Sequence, residues 1–315
     1  MGEVGVGKSS ALAVTTHLLL DGEPPKDKSS LRKQSLLTTG AGRTTLCEVL
    51  IRGHEHGESS QQYGLLLEPM PLDDIKETID FWAEDEWSKR QAGHASGGSG
   101  EAPSNSQEIT RALRNMAGYA ERHEFVPGTG NNAPQRRTVN PLDGVVAGCA
   151  SPAELEQHLH EKIRLGERNQ TSWWLAAETG RRELKELLEQ INNGLCRTAS
   201  LPQRVTLVVP GLAENAYPQQ LHFIDSRGLD AGAGLSVRED LQRFIEDPLA
   251  VYVLCAPFNS APGEVVRELL REINGDARWI GARQRLVLTL LDRGDADQVN
   301  GADGDRVIGQ GIKVQ

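Results

Sequence analysis

The chain has 315 residues and a formal net charge of −10. The length suits one large α/β domain with insertions or two modest domains, and we expect the single elaborated domain. The acidic balance argues against a general nucleic-acid-binding surface, so we expect small molecules and proteins as partners and no nucleic acid.

Targeting signals and cysteine pairs do not stand out. The chain shows no secretory leader pattern and no apolar stretch of 18 residues, so we expect a cytoplasmic protein, and nothing indicates membrane association. The four cysteines have no C-x-x-C spacing, which favours buried reduced thiols over a zinc site or a disulfide framework. They are Cys47, Cys149, Cys196 and Cys255.

Hydrophobic patterning predicts the elements of the first 195 residues. A helix is expected at 9–20, strands at 44–53 and 63–70, and helices at 71–87, 106–124, 151–165 and 179–194. Residues 91–106 are almost all small and polar, a composition typical of a flexible linker. Residues 107–195 are largely helical by pattern and are interpreted as an insertion, which could carry a contact with a protein partner.

The character of the chain changes after residue 196. Four runs rich in apolar and β-branched residues follow one another, and a helical segment precedes each of the last two runs. Strands that are apolar on both faces predict a sheet covered by helices on both sides, hence a three-layer α/β fold. The resulting domain scheme has two halves of one α/β domain, 1–90 and 196–315, separated by the linker 91–106 and the mostly helical insertion 107–195.

The stretch GEVGVGKSS, residues 2–10, fits the pattern G-x-x-x-x-G-K-[ST]. Consecutive backbone N–H groups in such a loop, with the positive end of the following helix, hold phosphate groups. Lys8 would neutralise phosphate charge, and the Ser9 hydroxyl would bind Mg²⁺. The predicted nucleotide-binding residues of this stretch are Gly2, Gly5, Gly7, Lys8, Ser9 and Ser10.

A second motif, D-x-x-G, follows an apolar strand at Asp225 and Gly228. In such a site the aspartate reaches Mg²⁺ through a water, and the glycine N–H bonds the γ-phosphate. An ATPase would more often have glutamate after the aspartate. Ser226 stands there instead, which favours GTP over ATP.

Two further stretches complete the predicted site. Thr44 precedes a predicted strand, where its hydroxyl would complete the Mg²⁺ shell and its N–H would bond the γ-phosphate. After the last predicted strand, Asp295 could accept hydrogen bonds from guanine, and the stem of Arg293 could cover the base. Asp292 occupies the place of an asparagine in the guanine-specific N-K-x-D pattern, and a charged surface loop is the alternative interpretation.

These motifs, in this order, resemble the P-loop GTPases of the translation-factor and dynamin-like class. The resemblance covers residues 2–52 and about 200–296. It implies a doubly wound P-loop sheet, Mg²⁺ and GTP bound at the strand ends, and two switch loops that reorder on hydrolysis. The family assigns catalytic roles to Lys8, Thr44 and Gly228 and metal contacts to Ser9, Thr44 and Asp225.

The resemblance is weakest at the catalytic step. Ras-like members have a water-orienting glutamine directly after D-x-x-G, whereas this chain has Leu229. A catalytic group would then come from elsewhere, with Arg43 and Arg227 as candidates, or from a partner subunit in a homodimer. Three hypotheses stay open: a GTPase, a nucleotide-gated interaction module with little turnover, and an ATP-dependent signalling or defence ATPase.

The position of the phosphate loop raises a separate expectation. In this fold a strand precedes the loop, and a strand and a helix follow the guanine-binding segment. The chain has little sequence at either place, so the pattern is typical of a fragment that lacks its first strand and its final elements.

Overall fold

The computed structural model describes residues 8–16, 18–20, 34–37, 46–55, 57–59, 61–91, 107–126, 135–176, 178–212, 221–226, 239–257 and 264–291. Over these residues the protein is a mixed α/β structure. The strands are β1 Glu48–Arg52, β2 Gln62–Pro69, β3 Arg122–Val126, β4 Gln135–Val139, β5 Ser172–Ala176, β6 Pro202–Val208, β7 Phe223–Asp225, β8 Tyr252–Pro257 and β9 Leu286–Leu291. The helices are α1 Lys8–Thr15, α2 Leu72–Gln91, α3 Gln107–Met116, α4 Leu142–Gly148, α5 Pro152–Ile163, α6 Gly180–Asn192, α7 Glu239–Glu246, α8 Glu264–Gly275 and α9 Ile280–Arg283, with 3₁₀ turns at Leu165–Glu167 and Ala277–Trp279.

Five strands form the main sheet in the order β5-β2-β6-β1-β7. β1 runs parallel to β6 and antiparallel to β7, and β2 runs antiparallel to both β6 and β5. The sheet is therefore mixed. β8 and β9 pair in parallel in a second, two-stranded sheet, and β3 and β4 form an antiparallel pair.

The main sheet packs against α6 through a core of apolar side chains. Strand residues such as Val49, Ile51 and Leu207 meet Leu184 and Leu188 of α6 in this core. The Arg181 guanidinium donates to the Leu19 carbonyl oxygen at 3.1 Å, and the Lys185 ammonium donates to the Ser35 carbonyl oxygen at 2.6 Å. These contacts tie the chain that follows α1 to α6.

Four helices, α2, α3, α4 and α5, share a second core and are called the helical cluster below. Ser151 caps α5 by accepting from the Glu154 N–H at 3.3 Å, and Pro152 begins the helix, as predicted. Gly194 ends α6 as predicted, with φ of 68° and a position where an added Cβ would lie 2.2 Å from the Ala112 carbonyl oxygen.

The helical cluster lies at one end of the main sheet. Leu46, just before β1, and Leu201, just before β6, are buried in its core, and Met70, just after β2, packs against it. The strand directions place these three residues at the same sheet end. The pairing of Val49 with Asp225 places the carboxyl end of β7 there too.

The segment predicted as a helical insertion also contains strands. The helix predicted at 106–124 is too long at its carboxyl end, because residues 122–126 form β3, which pairs with β4. Residues 172–176, SWWLA, form β5 at the edge of the main sheet. The physical reason is pairing, because β2 offers a free edge to a short segment rich in aromatic side chains, and that tertiary contact outweighs local pattern. The division into domains stays a prediction.

A third core lies between α7, β8, α8 and α9. All four cysteines are free; Cys149 is half-buried and the other three are buried, as expected. Among the described helices, none combines the length and the apolar character that crossing a bilayer requires.

Candidate functional site

The start of α1 and the end of β7 meet. The Ser9 hydroxyl donates a hydrogen bond to the Asp225 carboxylate, with 2.5 Å between Oγ and Oδ2. The two residues are 216 positions apart in the chain. Ser9 lies in the first turn of α1, and Asp225 is the last residue of β7, so helix and strand each present their partner at a terminus.

Asp225 is an unusual place for a charge because it is only 3% exposed. Burial raises the pKa of the Asp225 carboxyl above its usual range, while the Ser9 hydrogen bond and the positive charge of Lys8 act in the opposite direction. The Asp225 carboxyl thus lies in a desolvated site, and its ionised form is stabilised there by Ser9 and by the charge of Lys8.

Cys255 on β8 belongs to the same neighbourhood. Burial raises the pKa of the Cys255 thiol, with the charges of Lys8 and Asp225 acting on it in opposite senses. The thiol is buried and is poorly suited to act as a nucleophile, because a raised pKa disfavours the thiolate. Because the charges of Lys8 and Asp225 both act on the thiol, Cys255 places β8 within electrostatic range of these two residues.

Ser226 directly follows Asp225 and is 6% exposed. Its hydroxyl oxygen is buried and has no hydrogen-bond partner among the described residues. A buried hydroxyl without a hydrogen-bond partner lowers the stability of a protein by about 1–3 kcal/mol, so the burial of the Ser226 hydroxyl requires an explanation.

The strand beside β7 enters the site region from the helical cluster. Val49 of β1 pairs with Asp225, and the chain before β1 passes through Leu46, which is buried in the core of the helical cluster. Next to Val49, the Glu48 carboxylate accepts from Arg204 of β6 at 2.6 Å and lies 3.4 Å from the Arg243 guanidinium of α7. Glu48 thus joins the site end of β1 to β6 and to α7.

Of the residues predicted to act in the site, the structure brings together Lys8, Ser9 and Asp225. Ser10 lies on α1 and is half-buried. The other predicted positions fall outside the described residues: Gly2, Gly5, Gly7, Arg43, Thr44, Arg227, Gly228, Leu229, Arg293 and Asp295. Within the described ranges, no group of three or more His, Cys, Asp or Glu side chains is placed to hold a metal ion.

The sequence motifs do not predict that Ser226 and Cys255 belong to this neighbourhood. In the motif Ser226 bears only on the choice between GTP and ATP, although its place next to a strand-end aspartate is a usable signal. Cys255 carries no such signal, because its position follows from how β8 packs.

Comparison with known proteins gives no match: no family model fits the sequence, and neither curated proteins nor solved structures resemble it significantly.

Proposed function

We propose that the chain binds a magnesium complex of a purine nucleoside triphosphate, with GTP preferred, and hydrolyses it. The observation that carries the proposal is the 2.5 Å hydrogen bond between Ser9 and Asp225. A phosphate-loop serine and a strand-end aspartate that are far apart in sequence meet at one point, as the two motifs require.

The residues present fit a magnesium ion. Mg²⁺ prefers hard oxygen ligands and keeps several waters, so a hydroxyl, a carboxylate and phosphate oxygens suffice without an all-protein cage. Ser9 would contact the ion directly, and Asp225 would hold one of its waters. When bound, the ion would neutralise part of the negative charge of the phosphates.

Lys8 would hold the phosphates from the protein side. Its ammonium lies in electrostatic range of Asp225, and it begins α1, where the first N–H groups of the helix carry partial positive charge. The proposal extends to Thr44 and Gly228 at the γ-phosphate and to Arg293 and Asp295 at guanine.

The surroundings favour coupling between the site and the helical cluster. Leu46 lies in the core of the helical cluster, two residues after Thr44, so a rearrangement of Thr44 on hydrolysis would act on that core. The Glu48–Arg243 contact similarly joins β1 to α7, the first described element after Asp225. The helical cluster is thus the proposed route to a protein partner or a second subunit.

A second candidate function is a nucleotide-gated interaction module with little turnover. It is favoured by Leu229, whose apolar side chain cannot orient a water for attack on the γ-phosphate. An ATP-dependent signalling or defence ATPase is the third candidate.

Calorimetric titration of the full chain with Mg²⁺–GTP and Mg²⁺–ATP tests the proposal. We expect tighter binding of GTP and a loss of about 10- to 100-fold in Lys8→Ala, because a charge-assisted contact is removed. Lys76→Ala is the matched control, since Lys76 lies on α2 in an exposed pair with Asp73. Failure of both nucleotides to bind, or equal affinity in Lys8→Ala, would contradict the proposal.

Phosphate release separates the first two functions. A GTPase that takes a catalytic group from a partner subunit shows specific activity that rises with protein concentration, whereas a gated module binds GTP with little release at any concentration. Tighter binding of ATP than of GTP would favour the ATPase.

A further inference from the structure

Two buried serines of this protein differ in their hydrogen bonding. Ser35 is 0% exposed, and its hydroxyl donates to the Leu37 carbonyl oxygen at 2.9 Å. Ser226 is almost equally buried, yet its hydroxyl has no partner in the part of the chain that the structure describes. Most buried polar side-chain atoms in proteins are paired, so Ser35 shows the usual state and Ser226 the exception.

The burial of Ser226 is a property of the site end of β7. Side chains alternate between the two faces of a strand, and Ile224, two positions earlier, is 36% exposed. Asp225 and Ser226 are consecutive and are both buried, so the alternation stops where β7 ends. The Ser226 side chain is therefore buried together with the Asp225 carboxyl at the end of the strand.

We infer that Ser226 recognises the bound nucleotide by donating its hydroxyl to a phosphate oxygen of the magnesium complex. The inference rests on the proposed function and adds a binding residue to it. In the ligand-free protein the hydroxyl bears the cost of burial without a partner, and binding of the anion removes that cost. A hydroxyl is suited to this role because its proton rotates to meet an acceptor.

This role predicts that stability and affinity respond in opposite ways. Removal of an unpaired buried hydroxyl does not lower the stability of the ligand-free protein, but removal of a hydrogen bond to a charged acceptor weakens binding. We expect Ser226→Ala to keep or raise the melting temperature without ligand and to weaken binding about 10- to 100-fold. Ser226→Thr, which retains a hydroxyl, should recover part of the affinity.

Ser35→Ala is the matched control. It removes a hydroxyl that already has a partner, so its ligand-free melting temperature should fall while its affinity stays that of wild type. The four proteins are compared by thermal unfolding without ligand and by titration with Mg²⁺ and a non-hydrolysable GTP analogue, so that turnover does not enter the readout.

Each contrary result has a distinct meaning. Wild-type affinity in Ser226→Ala overturns the inference and leaves the proposed function in place. A melting temperature lowered as in Ser35→Ala shows that the hydroxyl is already paired, for example with a buried water, and also overturns it. Wild type that fails to bind the analogue overturns the proposed function, and the inference with it.

Discussion

Arg168 and Asp225 are two charged residues whose surroundings differ in how fully they are hydrogen-bonded. The Arg168 guanidinium donates to four carbonyl oxygens, those of Ile163, Met116, Cys196 and Ala199, at 2.7–3.2 Å. The carboxylate of Asp225 accepts from the hydroxyl of Ser9, and the neighbouring Ser226 hydroxyl has no partner within the described ranges. The Arg168 guanidinium thus bonds to carbonyl oxygens through all three of its nitrogens, whereas a hydroxyl beside Asp225 is left unpaired among the described residues.

The difference separates a structural role from a binding role. Arg168 and its four carbonyls close the ends of α3 and α5 against the segment before β6, where the last carbonyls of a helix need donors. An unpaired buried group, such as the Ser226 hydroxyl beside Asp225, would be available to the ligand of the proposed function. Changes at Arg168 should therefore cost stability, and changes at Asp225 should cost binding.

The largest effect is expected from Arg168→Ala. It leaves four carbonyls without their donor, and hydrogen bonds to a charged group contribute about 1.5–3 kcal/mol each but not additively, so we expect a loss of about 2–4 kcal/mol in the free energy of unfolding. Denaturant unfolding measures it.

Arg168→Lys is the control, because it keeps the charge but cannot reproduce the fork of donors, and it should lose part of that stability. Nucleotide affinity of the folded protein should remain that of wild type in both variants. A free energy of unfolding within about 0.5 kcal/mol of wild type in Arg168→Ala, the range typical of surface substitutions, would remove the contrast between the two regions.

The opposite result is expected from Asp225→Asn. The amide keeps an acceptor for Ser9 but carries no charge, so the cost of burying a carboxylate disappears and ligand-free stability at pH 7 should rise or stay unchanged. Affinity for Mg²⁺–GTP should fall about 10- to 100-fold, as measured by titration. A marked loss of ligand-free stability would show that the charge serves the fold instead.

The pH dependence gives the same distinction. The folded-state pKa of Asp225 is raised by burial, so the folded protein holds this proton more tightly than the unfolded chain does. The contribution of Asp225 to stability therefore falls as the pH rises from the ordinary aspartate pKa towards the raised folded-state pKa. This pH dependence is absent in Asp225→Asn. Under the proposed function, magnesium binding should strengthen with pH over the same interval, because the ionised carboxylate is the form that would hold a water of the ion.

Much of this arrangement follows from the sequence. The order of apolar runs predicts β1, β2, β6 and the later strands, because a buried strand needs a continuous apolar stretch. The spacing of GEVGVGKS and DSRG predicts that Ser9 and Asp225 share a site, and the structure places their side chains 2.5 Å apart. Motifs of this kind are readable because each requires particular residue types at fixed intervals.

Other features could not be predicted, because their partners leave no pattern. Arg168 bonds backbone carbonyls, which every residue carries, so nothing in the sequence distinguishes it from an exposed arginine. β5 exists through its pairing with β2, and the unpaired state of Ser226 depends on how the end of β7 is enclosed. These are tertiary properties, and local composition is silent about them.

The smallest effect is expected at the ion pair between Arg52 and Glu58. Arg52 is a second arginine with several hydrogen bonds, and it lies at the end of β1 away from Asp225. Arg52 donates twice to the Glu58 carboxylate, at 2.7 and 2.8 Å, and this hydrogen bonding lowers the pKa of Glu58 to about 2. A lowered folded-state pKa means that the stabilisation is complete above the ordinary glutamate pKa and is lost as pH falls from about 4.5 to about 2.

Glu58→Gln should therefore lower the free energy of unfolding by about 1–2 kcal/mol at pH 7, within the range for hydrogen bonds to charged groups. The gap to wild type should narrow as pH falls through that interval, because protonation removes the same charge from wild type. Denaturant unfolding at a series of pH values follows both curves. A gap that stays constant down to pH 2 would mean that the carboxylate charge contributes nothing, and that Arg52 is held by the Gly53 carbonyl oxygen, to which it also donates.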